Sequence, residues 1–320
     1  MSYRKEKIAQ ENTKKRLRSI AVGILCALIA AACVFSSFVP AESWKYYFDL
    51  PKLSQREVGE LRAHFMDVEE GNCVLLELPD GKNVIVGGGA NDGTARGNVF
   101  RFLNALKIKK IDALIVPNST ANGVGILREL VDFYDVEKAY LPIGGGTNAE
   151  YSAFVADLSR KGIPAIDGTQ GMIFGEANGY QLRILLPHTD GDASGDMLLS
   201  LSYCGMDFLL GDGYDAESLE TLATEKRIGL WEKWGVEIEN FDVIQTSRRV
   251  SAESFTAFAQ EFGCTSAIFS CRGGEGCTPS EEVLTAVGDM GINAYRTDVH
   301  GYISISIRGA NGYSVNTQKS

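Results

Sequence analysis

Residues 109–125 read Lys-Lys-Ile-Asp-Ala-Leu-Ile-Val-Pro-Asn-Ser-Thr-Ala-Asn-Gly-Val-Gly. The four apolar residues from Ala113 to Val116 form a short continuous run that is typical of a buried strand. Pro117 and the polar residues after it predict a turn, and we expect a helix to start near Val124. A buried strand that passes through a polar turn into a helix is typical of layered α/β proteins.

The same alternation continues on both sides of this stretch. The strand candidates Cys73–Leu78 and Asn83–Val86 are joined by Pro79-Asp80-Gly81, which predicts a hairpin. Farther along, the pattern predicts a helix over Ala149–Lys161 and a strand over Tyr180–Leu186. Early hairpins followed by strand–helix units predict sheets covered by helices in one domain of about 260 residues.

The N-terminus has a different composition. Residues 1–18 contain seven Lys or Arg against two Glu, and residues 20–39 contain no charge. At about 1.5 Å per residue, the uncharged segment would form a helix roughly 30 Å long, which matches a bilayer core. We therefore expect a basic cytoplasmic tail at 1–18, a transmembrane helix or signal anchor at 19–40, a linker at 41–60 and a globular domain at 61–320 outside the cytoplasm.

Two alternatives to a retained anchor fit the same residues. Ile20 to Ala32 could serve as the apolar core of a cleaved secretory signal. The three alanines before Cys33 also resemble a weak bacterial lipobox, which would make the protein a lipoprotein attached through Cys33. All three interpretations place the globular part outside the cytoplasm, and the single-pass membrane protein is preferred.

The rest of the chain is acidic. The net charge is −10, and because residues 1–18 carry +5, residues 19–320 carry about −15. Such a surface repels phosphate backbones, whereas nucleic-acid binders need basic patches. The charge therefore disfavours nucleic acid as a partner.

The cysteines outside the apolar segment fall into two groups. Cys73 and Cys204 lie in apolar strand-like runs, where we expect buried free thiols. Cys264 and Cys271 flank a probable strand and would be about 20 Å apart, too far for a disulfide. Cys271 and Cys277 close a short Gly-rich loop, and a disulfide between them is feasible. The spacing lacks the paired C-x-x-C pattern of zinc sites.

Six landmarks in order between His64 and Val315 carry a resemblance to a known family. They are His64-Phe65-Met66-Asp67-Val68-Glu69-Glu70-Gly71-Asn72-Cys73, Leu78-Pro79-Asp80-Gly81-Lys82-Asn83-Val84-Ile85-Val86-Gly87-Gly88-Gly89, Leu209-Leu210-Gly211-Asp212, Asp242-Val243-Ile244-Gln245-Thr246-Ser247-Arg248-Arg249-Val250-Ser251, Pro279-Ser280-Glu281-Glu282-Val283-Leu284 and Tyr295-Arg296-Thr297-Asp298-Val299-His300-Gly301. Together they resemble the metallo-β-lactamase-like domain of ComEC-type competence DNA-uptake proteins. The resemblance implies an αββα four-layer sandwich, preceded here by one N-terminal transmembrane helix.

In that family, the turn that corresponds to residues 117–125 reads Thr-His-x-His-x-Asp-His-x-Gly-Gly, and two metals activate a bridging water. The positions aligned with family ligands are Asn118, Thr120, Asn122, Gly123, Asp212, Arg248 and Thr278. Among them only Asp212 is a potential bridging ligand, and the three histidines of the chain, His64, His188 and His300, align with none.

One carboxylate with amides and a hydroxyl is a poor transition-metal site, and the fixed guanidinium of Arg248 would repel a cation. We therefore expect a vestigial cleft with no catalytic residue, no metal and no cofactor. A weak divalent cation at Asp212 is left open.

Two residues that resemble catalytic groups are given structural roles. Ser119 has no histidine nearby in sequence to act as its base, and we expect it to satisfy the start of the following helix. His64, at the start of a strand, is expected to be a partly buried, hydrogen-bonded residue.

The sequence leaves three functions open. The first is a catalytically inactive, membrane-anchored binding or scaffold module, held by residues 20–39, with an unknown protein or a small anionic ligand as its partner. Arg248 beside helix-start amides could accept such an anion. The second is a rebuilt hydrolase that acts on phosphoesters or nucleotides through Asp212, Asn118 and Arg248. The third, an accessory role in DNA uptake, rests on the resemblance alone, and the acidic domain argues against it.

Overall fold

A computed structural model gives the structure of the protein and describes residues 16–27, 29–31, 33, 56–146, 148–175, 178–186, 197–211, 216–247, 250–274, 276, 279–309 and 312–319. The chain divides into two compact units, Met1–Leu50 and Pro51–Ser320. In the first unit, residues 16–27 are helical, and their apolar side chains, Ile20 and Ile24 among them, are exposed. No helix in the described part of the chain is both long and apolar enough to span a bilayer.

The second unit alternates strands and helices. Its described strands are β1 (Leu61–Phe65), β2 (Val74–Glu77), β3 (Asn83–Val86), β4 (Lys110–Ile111), β5 (Ala113–Ile115), β6 (Asp135–Val136), β7 (Ala139–Leu141), β8 (Ala165–Asp167), β9 (Ile173–Phe174), β10 (Tyr180–Leu186), β11 (Leu198–Tyr203), β12 (Met206–Leu210), β13 (Phe241–Ser247), β14 (Cys264–Ser270), β15 (Asn293–Arg296), β16 (Ile303–Ile307) and β17 (Tyr313–Thr317). Its described helices are α1 (Gly93–Ala105), α2 (Ala121–Val124), α3 (Leu127–Phe133), α4 (Ala149–Lys161), α5 (Ala216–Arg227), α6 (Leu230–Lys233), α7 (Ala252–Phe262), α8 (Glu281–Asp289) and α9 (Thr297–His300).

Two mixed sheets contain most of these strands. The first has the order β17-β16-β1-β2-β3-β5-β7-β8, and the second has the order β15-β14-β13-β12-β11-β10-β9. In the first sheet, β3, β5, β7 and β8 are parallel neighbours. In the second sheet, β12 to β15 are parallel neighbours. Parallel strands need both faces covered, which predicts a helical layer over each sheet.

Three apolar cores define the layers. Alternate residues of β5 illustrate the arrangement, because Ala113 and Ile115 face one core and Leu114 faces another. The central core contains inward-facing side chains of both sheets, such as Phe65 and Phe208. A second core lies between the first sheet and α1, α3 and α4, and a third lies between the second sheet and α7 and α8. The four-layer αββα sandwich expected from the sequence is therefore the observed architecture.

The topology brings the carboxyl ends of parallel strands from both sheets to one edge. Pro117 follows β5, and its carbonyl accepts a hydrogen bond of 2.9 Å from the amide of Met197. Met197 immediately precedes β11, whose Leu199 pairs with Leu210 at the end of β12. The turn after β5 and the end of β12 are thus neighbours at this edge, where binding sites of α/β proteins commonly lie.

A buried polar cluster, here called the His64 network, lies within the first sheet and consists of Arg62, His64, Glu77 and Ser304. The His64 imidazole is fully buried, with Nδ1 2.7 Å from Ser304 Oγ and Nε2 2.9 Å from Glu77 Oε2. Because an ionised carboxylate only accepts, Nε2 carries the proton and Nδ1 accepts from the Ser304 hydroxyl. Burial lowers the pKa of His64, which favours this neutral form. The residue is hydrogen-bonded as expected, and its burial is complete rather than partial.

Candidate functional site

The turn after β5 begins a short helix. Thr120 is the N-cap of α2, and its Oγ1 accepts from the amide of Gly123 at 3.1 Å. The expectation that Ser119 caps this helix was wrong: Ser119 is buried beside Gly146, whose Cα has no room for a side chain because Ser119 occupies that space. The helix starts at Ala121, three residues before the predicted start.

Asn118 holds this turn together. Its side chain is buried, and Oδ1 accepts from the Thr120 amide at 2.9 Å and from the Thr120 hydroxyl at 2.6 Å. Two donors therefore already occupy the oxygen that would have to coordinate a cation. This self-contained arrangement of Asn118, Thr120 and Gly123 is called the Asn118 turn below.

Gly123 is a glycine because the Asn118 turn leaves no space at its Cα. A Cβ built on Gly123 would collide with Asn118 Oδ1 and would lie 2.5 Å from the Asn118 carbonyl oxygen. The second of these atoms is backbone and cannot rotate away. A histidine at position 123, where the family resemblance implies a ligand, would therefore require a different turn.

Asn122 points away from the other three residues of the loop. Its Nδ2 lies 3.5 Å from Glu70 Oε2, at the long limit of a hydrogen bond. Glu70 is also 4.0 Å from Arg272, which follows β14 in the second sheet. This edge therefore has a rim that connects the two sheets and consists of Asn122, Glu70 and Arg272.

Two carboxyl groups close to this rim, those of Asp67 and Glu69, have raised pKa values. Burial, together with the charge of Glu69, raises the pKa of Asp67 to about 6. Burial, together with the charge of Asp92, raises the pKa of Glu69. Glu69 also has a φ of 64°, a left-handed conformation that is uncommon for a residue with a side chain. The negative potential at this rim favours cationic or neutral groups over anions.

The remaining predicted cleft residues, Asp212, Arg248 and Thr278, lie outside the described residues. Their chain neighbours show where the cleft would continue. Gly211 directly follows β12, and Ser247 ends β13, which is the parallel neighbour of β12. The structure therefore brings Asn118, Thr120 and Gly123 together, and it directs Asn122 toward Glu70. That these residues form one cleft with Asp212, Arg248 and Thr278 stays a prediction.

The described side chains do not fit the two-metal centre that the resemblance implies. In the part of the chain that the structure describes, no three His, Cys, Asp or Glu side chains converge to hold a metal ion. Asn118 Oδ1 is already hydrogen-bonded twice, Thr120 Oγ1 accepts from a backbone amide, and Gly123 has no donor. Such a donor set lacks the imidazoles and the bridging carboxylate of a transition-metal site.

Three cysteines near the strands were the subject of predictions. Cys73 is buried as expected, but Cys204 is exposed because it lies with Gly205 in the tight turn between β11 and β12, at a φ of 51°. Cys271 is a free thiol whose Sγ lies 3.0 Å from Asp298 Oδ1, and burial raises its pKa to about 12. Cys277 lies outside the described residues, so the Cys271–Cys277 disulfide stays a prediction, and its formation would require Cys271 to leave Asp298.

The sequence did not identify Glu70 and Arg272 as cleft residues. Glu70 stands in the opening motif and Arg272 in the Gly-rich loop, some 200 residues away. Nothing local in either segment predicts that these side chains approach each other. The only features that pointed to a position at the cleft were their charge and their location directly after a strand or turn.

Comparisons with protein families and with curated proteins find no match to this chain. Among solved structures, the chain is similar to CmlA, a diiron β-hydroxylase from Streptomyces venezuelae, with a TM-score of 0.48 and 12% identity over 79% of this chain and 55% of that chain. It is similar to a putative Zn-dependent hydrolase of the metallo-β-lactamase superfamily from Thermotoga maritima, with a TM-score of 0.35 and 9% identity over 70% and 84%. It is also similar to the metallo-β-lactamase SMB-1, with a TM-score of 0.38 and 14% identity over 74% and 86%.

The chain spans about half the length of the hydroxylase chain that it matches. At TM-scores below 0.5 these likenesses carry no conclusion about activity, and the four layers are established by the strand order and the three cores. The chain is thus a mixed α/β sandwich, and its similar solved structures include members of the metallo-β-lactamase superfamily.

Proposed function

We propose that the protein is a membrane-anchored, extracytoplasmic binding or scaffold module that lacks the metal chemistry of the hydrolases its sequence resembles. One observation carries this proposal: the side-chain oxygens of Asn118 and Thr120 are already hydrogen-bonded within the Asn118 turn. Asn118 Oδ1 is used by Thr120, Thr120 Oγ1 is used by Gly123, and Gly123 has no space for a side chain. A loop built in this way supports a cleft wall, and a metal that bound to Asn118 or Thr120 would have to compete with these hydrogen bonds.

The rim charges bear on the kind of partner. The rim contains Glu70 with Arg272 as its nearby cation, and Glu69, Asp67 and Asp92 are further carboxylates close by. Of the two partners left open by the sequence, these charges favour a protein that presents neutral or basic groups. A small anion would depend on Arg248.

Anchoring through residues 20–39 is part of the proposal. The described helical residues 16–27 support it, because an apolar helix with exposed side chains needs a non-aqueous environment. Membranes from cells that express the full chain would be washed with alkaline carbonate and treated with protease from the outside. We expect the chain to stay in the membrane pellet and the globular part to be digested. Cys33→Ser distinguishes a lipoprotein, since only a lipid-linked chain would be released by that substitution.

Metal content is the direct test of the missing chemistry. The full chain would be purified in detergent from cells grown with added zinc, iron and manganese, and its metals measured by mass spectrometry. We expect less than about one tenth of an equivalent of any transition metal, because the described positions offer no imidazole or thiolate. A stoichiometric metal that is lost in Asp212→Ala would overturn the proposal.

Hydrolysis by a rebuilt site is the competing outcome. The same preparation would be assayed against phosphodiester and nucleotide substrates, with Asp212→Ala as the matched variant. We expect no turnover above the level of that variant. Activity present in the natural chain and absent from Asp212→Ala would replace the binding module with an enzyme.

A further inference from the structure

The first sheet ends on an unusually plain edge strand. β17 has five residues, Tyr-Ser-Val-Asn-Thr, with no charge, no proline and no glycine. The other described sheet edges are shorter: β8 has three residues including Asp167, β15 has four including Arg296, and β9 has two. Natural proteins usually protect an edge by such shortness or charge, because exposed backbone groups recruit another strand. β17 lacks this protection.

The hydrogen-bond pattern shows which backbone groups of β17 face outward. β17 pairs antiparallel with β16, in a register that places Val315 opposite Ile305. Continuing that register, the Gln318 amide donates to the Tyr302 carbonyl at 3.0 Å. Because hydrogen-bonded pairs alternate along an antiparallel ladder, Ser314 and Asn316 bond to β16, and the outward groups belong to Tyr313, Val315 and Thr317. No strand among the described residues pairs with this outer side.

We propose that β17 pairs with β17 of a second copy of this chain, antiparallel and about a twofold axis at Val315. In this register Val315 faces its own counterpart, and Tyr313 faces Thr317 of the second copy. The three outward residues of each strand then make all their backbone hydrogen bonds across the interface, and the two eight-stranded sheets become continuous.

The composition of the edge favours a second copy over an unrelated chain. A chain with a net charge of −10 repels a second copy of itself, and this repulsion is weakest where the contact is locally uncharged. β17 satisfies this condition along its whole length. The outward sequence Tyr-x-Val-x-Thr also places an aromatic ring opposite a β-branched residue at both ends of the interface, a favourable type of cross-strand pair.

Site-specific cross-linking tests the register. In full-length protein, Cys26, Cys33 and Cys204, which are exposed among the described cysteines, are changed to serine together with Cys277, and Val315→Cys then places two thiols across the axis. A hydrogen-bonded antiparallel pair has Cα atoms about 5.5 Å apart, within the range that a disulfide spans. Ser314→Cys is the matched control, because its counterpart lies on the diagonal, about 7–8 Å away.

We expect mild oxidation to give a disulfide-linked dimer with Val315→Cys at a rate at least tenfold higher than with Ser314→Cys. Equal rates, or no dimer with either, would overturn the proposed register.

Analytical ultracentrifugation of the unmodified chain in detergent gives the second measurement, with Tyr313→Lys as its variant. Tyr313 is 41% exposed, so a lysine there leaves the fold intact while placing two charges in the interface. We expect at least a tenfold weaker dimer for Tyr313→Lys, and an unmodified chain that stays monomeric at micromolar concentration would refute the proposal.

Discussion

The His64 network and the Asn118 turn are both hydrogen-bonded around a buried side chain, but they are built from different distances along the chain. His64 bonds to Ser304, 240 residues away, and to Glu77 on the adjacent strand. The Asn118 turn closes within six residues. The imidazole of His64 therefore joins three strands, β1, β2 and β16. The family resemblance implies metal-binding imidazoles at positions 118, 120 and 123, and there the chain forms a local turn instead.

The difference predicts unequal sensitivity to substitution. Removing one member of the His64 network leaves a buried charge or donor without its partner, which is strongly destabilising. Disturbing the Asn118 turn costs only steric strain in one loop. The predictions below test this contrast, beginning with the largest expected effect.

Glu77→Ala should be the most damaging substitution. Glu77 accepts from the fully buried His64 at 2.9 Å and lies 3.9 Å from the guanidinium of Arg62, so its loss leaves the His64 Nε2–H without its acceptor and Arg62 with Glu60, at 2.7 Å, as its remaining carboxylate in the cluster. We expect the free energy of unfolding to fall by about 3–5 kcal/mol, measured by urea denaturation. The control is Glu137→Ala, which removes an exposed ion pair with Lys110 and should change the urea midpoint far less. Equal effects of the two substitutions would contradict the role given to the network.

Gly123→Ala tests the packing of the Asn118 turn. The added methyl would meet the Asn118 carbonyl, and we expect a loss of about 1–3 kcal/mol in urea denaturation. Gly93→Ala is a matched control, because Gly93 opens α1 and a Cβ there has nothing within 4 Å. That control should be neutral or stabilising by up to about 1 kcal/mol. A neutral Gly123→Ala would show that the turn can open, and position 123 would become available to a ligand.

The free energy of unfolding should depend on pH through His64. Burial lowers the pKa of His64 in the folded protein, so below the ordinary value of 6.5 the unfolded chain binds more protons than the folded one. Stability should therefore fall as pH decreases below about 6.5, with a slope of at most about 1.4 kcal/mol per pH unit from this single group. Urea midpoints for the natural chain and for His64→Gln at pH 5 to 8 would measure it. An unchanged slope in the variant would assign the effect to other groups.

Asp67 should produce an effect of opposite sign. Its pKa is raised from 3.8 to about 6 in the folded protein, so the folded state binds more protons between these values, and stability is lost as pH rises through about 6. Asp67→Asn removes this penalty. We expect it to stabilise the protein by up to about 3 kcal/mol at pH 7.5 and to have little effect at pH 4. Thermal unfolding at the two pH values measures the difference, and equal shifts at both would mean that the carboxyl is not protonated in this range.

Much of the fold was predictable because the long elements have clear periodicity and boundary residues. Strands β3 and β10 and helix α4 have the predicted bounds, and α4 begins after the capping residue Asn148 and ends before Gly162 in the left-handed conformation. The strand β8 was missed, as were the two-residue strands β4 and β6, because such short segments show no periodicity.

The cleft was less predictable because its details depend on geometry within a few residues. Ser119 and Thr120 are both suitable caps, and the hydrogen bond that Thr120 accepts from the Gly123 amide, seen only in three dimensions, assigns the cap to Thr120. The sequence shows that position 123 has no ligand, but the reason, its contact with Asn118, appears only in three dimensions. The approach of Glu70 to Arg272 depends on the packing of two sheets and could not be read from either segment.

The hydrogen bond from Met197 to Pro117 gives the protein an internal reporter of how tightly its two sheets are held together at the cleft edge. An amide bonded in this way exchanges with deuterated solvent when the bond opens. Its exchange rate therefore measures the opening of this edge in the resting protein. A partner that binds across both sheets would slow that exchange without touching Met197, whereas a partner that binds one sheet alone would leave the rate unchanged.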